Sequence, residues 1–240
     1  MKLLGIESAA TAASAALLQD DVIIAEYTVN LKLTHSQTLL PMIEELIRVT
    51  GTDKKELDAI AVSAGPGSYT GLRIGSATAK GLGLALKKPV VGVSTLAAMA
   101  YQFWGSESLI SPMLDARRGQ VYTGLYRFTE DGTMETVLEP RCILMAQWID
   151  QLKEVQKAAG KKRVLFSGDA VSMHWQEIAE NLPGSLASPA QMNRQRAGAV
   201  AALGAVMYKN GEYESAEEHL PVYLRKAQAE HEREKKEGLK

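Results

Sequence analysis

Residues 65–75 read Gly-Pro-Gly-Ser-Tyr-Thr-Gly-Leu-Arg-Ile-Gly, and the rest of the chain is read outward from them. The stretch follows a strand candidate at Asp58 to Ser63 and opens a helix from about Tyr69 to Leu86. Gly65 and Gly67 admit backbone that a β-carbon would block, and Pro66 stiffens the turn between them. Ser68 and Thr70 are positioned to cap the helix, whose first N–H groups have no intrahelical partner. The stretch is not a P-loop, because no Gly-Lys-Ser/Thr closes it. It is not a dinucleotide fingerprint either, because Gly65, Gly67 and Gly71 miss that spacing by one. Two readings stay open: a tight structural turn, or a contact to an anion or nucleotide at the helix start.

Around this turn the chain alternates strands and helices. Leu3–Ile6, Ala12–Leu18 and Val22–Val29 read as three strands, the last two joined by Asp20-Asp21 as a hairpin. Leu39, Leu40, Ile43, Leu46 and Ile47 recur at helical spacing between Ser36 and Val49. Pro41 predicts a kink or a later helix start. Val90–Val93 is a strand, and a helix capped by Ser94 or Thr95 runs through Phe103. The order then restarts. Leu109–Leu114, Gln120–Arg127 and Thr133–Leu138 read as strands and Leu144–Val155 as a helix. Arg163–Phe166 is a strand, and His174–Asn181 and Arg194–Met207 are helices. This duplication of order predicts an α/β protein with two mixed lobes and a cleft between them. The expected bounds are 1–106 for the first lobe, 107–225 for the second and 226–240 for a charged, frayed tail.

Composition narrows the function. The chain has 240 residues, 46% hydrophobic and 23% charged, enough to bury a core without metal or disulfide staples. Its 27 basic and 28 acidic residues give a net charge of -1, so it does not coat nucleic acid by bulk charge, although a local patch is compatible. Cys142 is the single cysteine, which excludes an intrachain disulfide and a Cys-cluster metal site. Glu7 interrupts the N-terminal apolar run, and no stretch approaches a membrane span, so a soluble, cytoplasmic protein without membrane contact is expected.

Several residues are candidates for chemistry or contact. Gly71, Gly75 and Ala79 recur every four residues, making a small face that packs either on the chain's own sheet or against another subunit. The preceding helix, with Leu39, Ile43 and Ile47, would supply larger side chains to such an interface. Asp115, Arg117 and Arg118 precede Gly119 at a strand end, where they meet phosphate, a partner's acid or only solvent. Glu7, Ser8 and Thr11 occupy the first strand end, and Asp169 follows Gly168 at another. His35, His174, His219 and His231 form no metal-ligand spacing, and Ser8, Ser63 and Ser68 form no sequence grouping that argues a triad.

Taken together, GPGSYTGLRIG at Gly65–Gly75, LLGIESAA at the start and THSQTLLP at Thr34–Pro41 resemble the bacterial TsaB (YeaZ) family. VGVSTLAAMA at Val91–Ala100, MLDARRGQVY at Met113–Tyr122 and LPVYLR at Leu220–Arg225 fit the same family. The resemblance implies a duplicated two-lobe ASKHA fold, that of actin, sugar kinases and Hsp70, with ribonuclease H-like lobes. It implies a role in forming N6-threonylcarbamoyladenosine at position 37 of tRNAs reading codons that begin with A. In that role the chain is a non-catalytic partner of TsaD, which performs the transfer. TsaE and, through the complex, tRNA are further partners, and a homodimer is expected when the chain is alone. The implied partner-binding residues are Leu39, Ile43, Ile47, Gly71, Gly75 and Ala79. No catalytic residue, metal or tightly bound cofactor is expected. Glu7, Ser8, Gly65, Gly67, Asp115 and Arg118 are the candidates for nucleotide contact, and ADP or ATP is placed at interfaces of the complex. Where the family usually reads Asp-Thr-Ser, this chain has Glu7-Ser8-Ala9. The competing reading is a stand-alone phosphotransferase or hydrolase using Glu7, Asp115 and the Gly65 loop.

Overall fold

The computed structural model describes residues 1–31, 34–158 and 162–225. The expected charged tail at 226–240 lies outside the described residues. The first sheet is built from β1 (Lys2–Glu7), β2 (Ala13–Gln19), β3 (Val22–Val29), β4 (Ala59–Gly65) and β5 (Val90–Ser94) in the order β3-β2-β1-β4-β5. β6 (Leu109–Asp115), β7 (Gln120–Phe128), β8 (Met134–Leu144), β9 (Val164–Ser167) and β10 (Leu186–Ala187) form the second, ordered β10-β9-β6-β7-β8. The two orders are one topology read from opposite edges. In both, an antiparallel meander is extended by parallel strands through helical crossovers.

The alternation of β4 explains how its sheet is covered. Ile60 and Val62 face one layer with Leu4 and Ile6, against α1 (His35–Thr50) and α2 (Tyr69–Leu86). Ala59 and Ala61 face the other, with Leu3, Val91 and Val93, against α6 (Ala197–Lys209). Small side chains on this second face let α6 approach closely: a β-carbon on Gly204 would lie 2.6 Å from that of Ala61. The first face carries branched chains, each worth about 1.5–3 kcal/mol when buried. α1 begins at His35 and continues through Pro41, so the later start is not observed. Gly51 ends α1 in the left-handed conformation its missing side chain permits.

In the second lobe, α4 (Met145–Ala158) and α5 (Val171–Asn181) bury Trp148, Ile149, Leu152 and Ile178 against the sheet. Buried Trp148 keeps its indole N–H satisfied by Ser111 Oγ at 3.1 Å. α3 (Thr95–Tyr101) carries Leu96, Met99 and Ala100 into a cluster with Ile110, Leu114 and Tyr126, so the lobes share a core. Ser94 caps α3 by accepting from Ala97 N–H.

The chain beyond the expected division at 106/107 does not all stay with the second sheet. α6 packs on the first sheet, and Glu214 exchanges both backbone hydrogen bonds with Val90 on β5. α6 and the chain through Glu214 therefore return to the first lobe. That helix is apolar nearly all round and is buried by the face of the first sheet that carries Ala59 and Ala61.

Candidate functional site

The cleft lies at the ends of β1, β4, β6 and β9, where loops from both lobes meet a strap formed by Leu220–Arg225. Its cavity of about 510 Å³ is lined by Thr11, Ser68, Tyr69, Asp115, Arg117, Asp169 and strap residues 222–225, among others. The strap is tied to both lobes. Val222 N–H donates to Ala64 O at 2.6 Å, and Arg225 Nη1 donates to Ala116 O at 2.9 Å. Gly65 has φ 126°, and a β-carbon there would lie 2.2 Å from Val222 O. Its role in the 65–75 stretch is to let the strap pass.

The backbone of Gly67 and Ser68 is also held by internal contacts. Ser68 N–H donates to Ala9 O at 2.6 Å, and a β-carbon on Gly67 would come 2.2 Å from the same oxygen. Ser68 Oγ accepts from Gly71 N–H at 3.3 Å as the N-cap of α2. The tight-turn reading accounts for these groups.

Glu7 is fully buried. Ser63 Oγ donates to its Oε2, and Ala9 N–H donates to its Oε1 at 2.6 Å. Burial pushes its carboxyl up to about 7, partly offset by those two hydrogen bonds. Ser8 is buried beside it and donates from Oγ to Gly71 O at 2.9 Å. Glu7, Ser8 and Gly65 therefore do not line the cavity, whereas Gly67 and Asp115 do. Asp169 Oδ1 accepts from Asp115 N–H at 3.0 Å, and burial raises its carboxyl above the ordinary range. Arg117 Nη1 pairs with Asp115 Oδ2 at 3.1 Å. Arg118 falls in an adjoining depression of about 320 Å³ with Cys142, sharing Leu224 and Arg225 with the cleft.

In this chain the six expected partner-contact residues face inward. Leu39, Ile43 and Ile47 are buried in the first core together with Ala79. Gly71 and Gly75 are buried against Ser8: β-carbons would lie 2.1 Å from Ser8 O and 2.4 Å from Ser8 Oγ. The small-residue face accommodates the turn after β1. The solvent side of the same helices is another set, with Leu40, Pro41 and Glu44 on α1 and Arg73, Ala77, Gly81 and Leu84 on α2. A β-carbon at Gly81 meets nothing within 4 Å.

Sequence spacing missed one constellation. His219 Nδ1 lies 2.6 Å from Glu214 Oε1, and its Nε2 lies 3.1 Å from Ser76 Oγ. The order serine–histidine–carboxylate matches a nucleophilic triad, but Ser76 and His219 are sealed and line none of the described cavities. Lys80 Nζ adds bonds to Glu217 O and His219 O at 2.9 and 3.0 Å. The group clasps the chain ahead of the strap onto α2. Separations of 137 to 143 residues hide it from any local motif. His35 Nε2 donates to Ala10 O at 2.7 Å, so this histidine is a structural tie. Among the described residues no three His, Cys, Asp or Glu side chains group to hold a metal. No helix among them is long and apolar enough to cross a membrane.

Two sheets of one topology, joined by a shared helix and facing across a cleft, define an ASKHA-type α/β protein. The comparisons narrow this class. A family model described as "TsaD: tRNA N6-adenosine threonylcarbamoyltransferase" matches residues 23–233. The Bacillus subtilis tRNA threonylcarbamoyladenosine biosynthesis protein TsaB is 39% identical over 234 residues, covering 96% of each chain. The Escherichia coli TsaB is 35% identical over 62% of this chain and 70% of its own. The solved YeaZ from Pseudomonas aeruginosa superposes with a TM-score of 0.75 at 27% identity, covering 93% of this chain and 99% of that one. The chain belongs to the TsaB family, and its place is in tRNA threonylcarbamoyladenosine biosynthesis.

Proposed function

We propose that this chain is the non-catalytic partner of a TsaD-type transferase, forming N6-threonylcarbamoyladenosine at position 37 of tRNAs that read codons beginning with A. The observation that carries the reading is the open side of α1 and α2. Leu40 and Leu84 are each about half exposed there, at 52% and 50%, and Ala77 and Gly81 leave a shallow path one turn apart between larger side chains. Helices pack closely through such ridges and grooves. The internal use of Glu7, Ser8 and the Gly65–Ser68 turn favours a scaffold over a self-sufficient phosphotransferase. TsaE and tRNA join through the complex, and ADP or ATP is held at its interfaces rather than tightly by this chain. The same open face supports a homodimer when the partner is missing.

Size-exclusion chromatography with light scattering tests this reading. Mixed with TsaD from the same organism, the chain gives a stable one-to-one species that threonylcarbamoylates tRNA once TsaE and a threonylcarbamoyl-adenylate source are added. Gly81→Arg abolishes the species while leaving the isolated chain folded. Persistence of the heterodimer in Gly81→Arg would sink the proposed face.

A further inference from the structure

The mouth of the cleft combines aromatic faces with uncompensated cations. Tyr69 and Tyr223 are 43% and 40% exposed, and their rings lie 5.0 Å apart. The Arg73 guanidinium sits over Tyr69, 5.4 Å from the ring centre. Leu224 and Arg225 continue the same surface into the depression that holds Arg118.

Two features mark this region. Among the described residues, Arg73, Arg118 and Arg225 have no carboxylate partner. The same is true of Arg141, Arg163 and Arg194, but Arg73, Arg118 and Arg225 gather with Arg117 around one cleft mouth beside the paired tyrosines. Arg117 is 85% exposed, and its one ion pair is to Asp115. The turn presenting two of these arginines is also held in a costly conformation. Arg117, Arg118 and Gly119 are consecutive left-handed residues, with φ 67°, 58° and 71°. Non-glycine residues adopt that region at a cost and persist there when the surroundings enforce it. Against these four cations stand Asp115 and Asp169, leaving a local positive excess on a chain whose net charge is -1.

We propose that this surface binds single-stranded RNA directly, with phosphates on Arg117, Arg118 and Arg225 and unstacked bases against Tyr69 and Tyr223. Tyrosine faces accept any base by stacking, and guanidiniums track the backbone without reading sequence. A cavity of about 510 Å³ admits an unstacked nucleotide, which a duplex keeps inside its stack. An acidic peptide would use the arginines but gain little from the paired rings, so RNA is favoured. The inference rests on the tRNA-modification reading and adds a contact made by this chain itself.

Fluorescence anisotropy on the full chain tests it, using a labelled unstructured RNA of about 12 nucleotides, the same sequence as a duplex, and a polyglutamate peptide. The single strand binds most tightly. In Arg117→Ala/Arg118→Ala its affinity drops and the slope of log affinity against log salt falls by about 1.4, the value for two phosphates on a single strand. Tyr223→Leu, which keeps apolar packing against Tyr69, weakens the single strand about tenfold. Arg127→Ala removes one positive charge away from the cleft and changes nothing. No RNA binding at low salt, equal loss in Arg127→Ala, or tighter binding of duplex or polyglutamate overturns the proposal. The arginine double variant still pairs with TsaD, so failure here is distinct from failure of the scaffold reading.

Discussion

Gly75 packs against Ser8 so closely that a β-carbon would lie 2.4 Å from Ser8 Oγ, which makes the small-residue face of α2 internal. Gly81, on the solvent side of the same helix, meets nothing within 4 Å. The two glycines therefore respond oppositely. Gly75→Leu drives a side chain into buried Ser8 and destabilises the isolated chain by about 3 kcal/mol or more. Gly81→Leu in an exposed helix interior gains about 0.5–1 kcal/mol of helix propensity. Thermal unfolding of both variants checks the sign of each change.

Glu7 makes stability pH-dependent. Its carboxyl is raised from 4.5 to about 7 in the fold. The folded state therefore binds the proton more tightly. The associated stabilisation is fully present below the unfolded pKa and is lost as pH rises through about 7. Across that window the loss is about 3 kcal/mol, each pKa unit being ~1.4 kcal/mol. Denaturant unfolding of Glu7→Gln against the parent between those pH values should show this slope removed. An identical slope in the variant would contradict the assignment.

The Ser76–His219–Glu214 clasp holds the segment that leads into the strap. His219→Ala removes a fully buried ring and both of its hydrogen bonds, at a cost of about 2–4 kcal/mol. Amide exchange should accelerate most in Glu214–Arg225, because neighbouring elements keep their own packing. Uniform acceleration across both sheets would argue against a local clasp.

Ala61 lies under Gly204 on the face that receives α6. Ala61→Leu overfills this contact and should cost about 1–3 kcal/mol, with exchange in α6 rising most. Val62→Ala, one residue on and facing the opposite layer, leaves a cavity under α1 and α2 instead. Exchange that rises in α6 for both variants would contradict the two-layer assignment.

Much of the first lobe was legible because its signals are local. Val22–Val29 and Tyr69–Leu86 have the predicted bounds, since the strand preference of β-branched residues and a serine cap act within a few residues. The third strand of the second lobe runs to Leu144 rather than 138, because pairing with β7 extends it across register irregularities that its own residues do not announce. The site was less legible. Asp115, Arg118 and Gly67 do reach the cleft or its annex, but Glu7, Ser8 and Gly65 turn away from it.

By itself the sequence determined the duplicated order of strands and helices and the family, because each is written in short-range spacing. Tertiary structure alone decided which face of α2 is free, that α6 returns to the first lobe while the strap ties both lobes together, and that Ser76, His219 and Glu214 meet. The physical reason is that helical periodicity marks a small-residue stripe without saying what covers it. Burial partners more than a hundred residues away are selected by close packing, which no local pattern encodes.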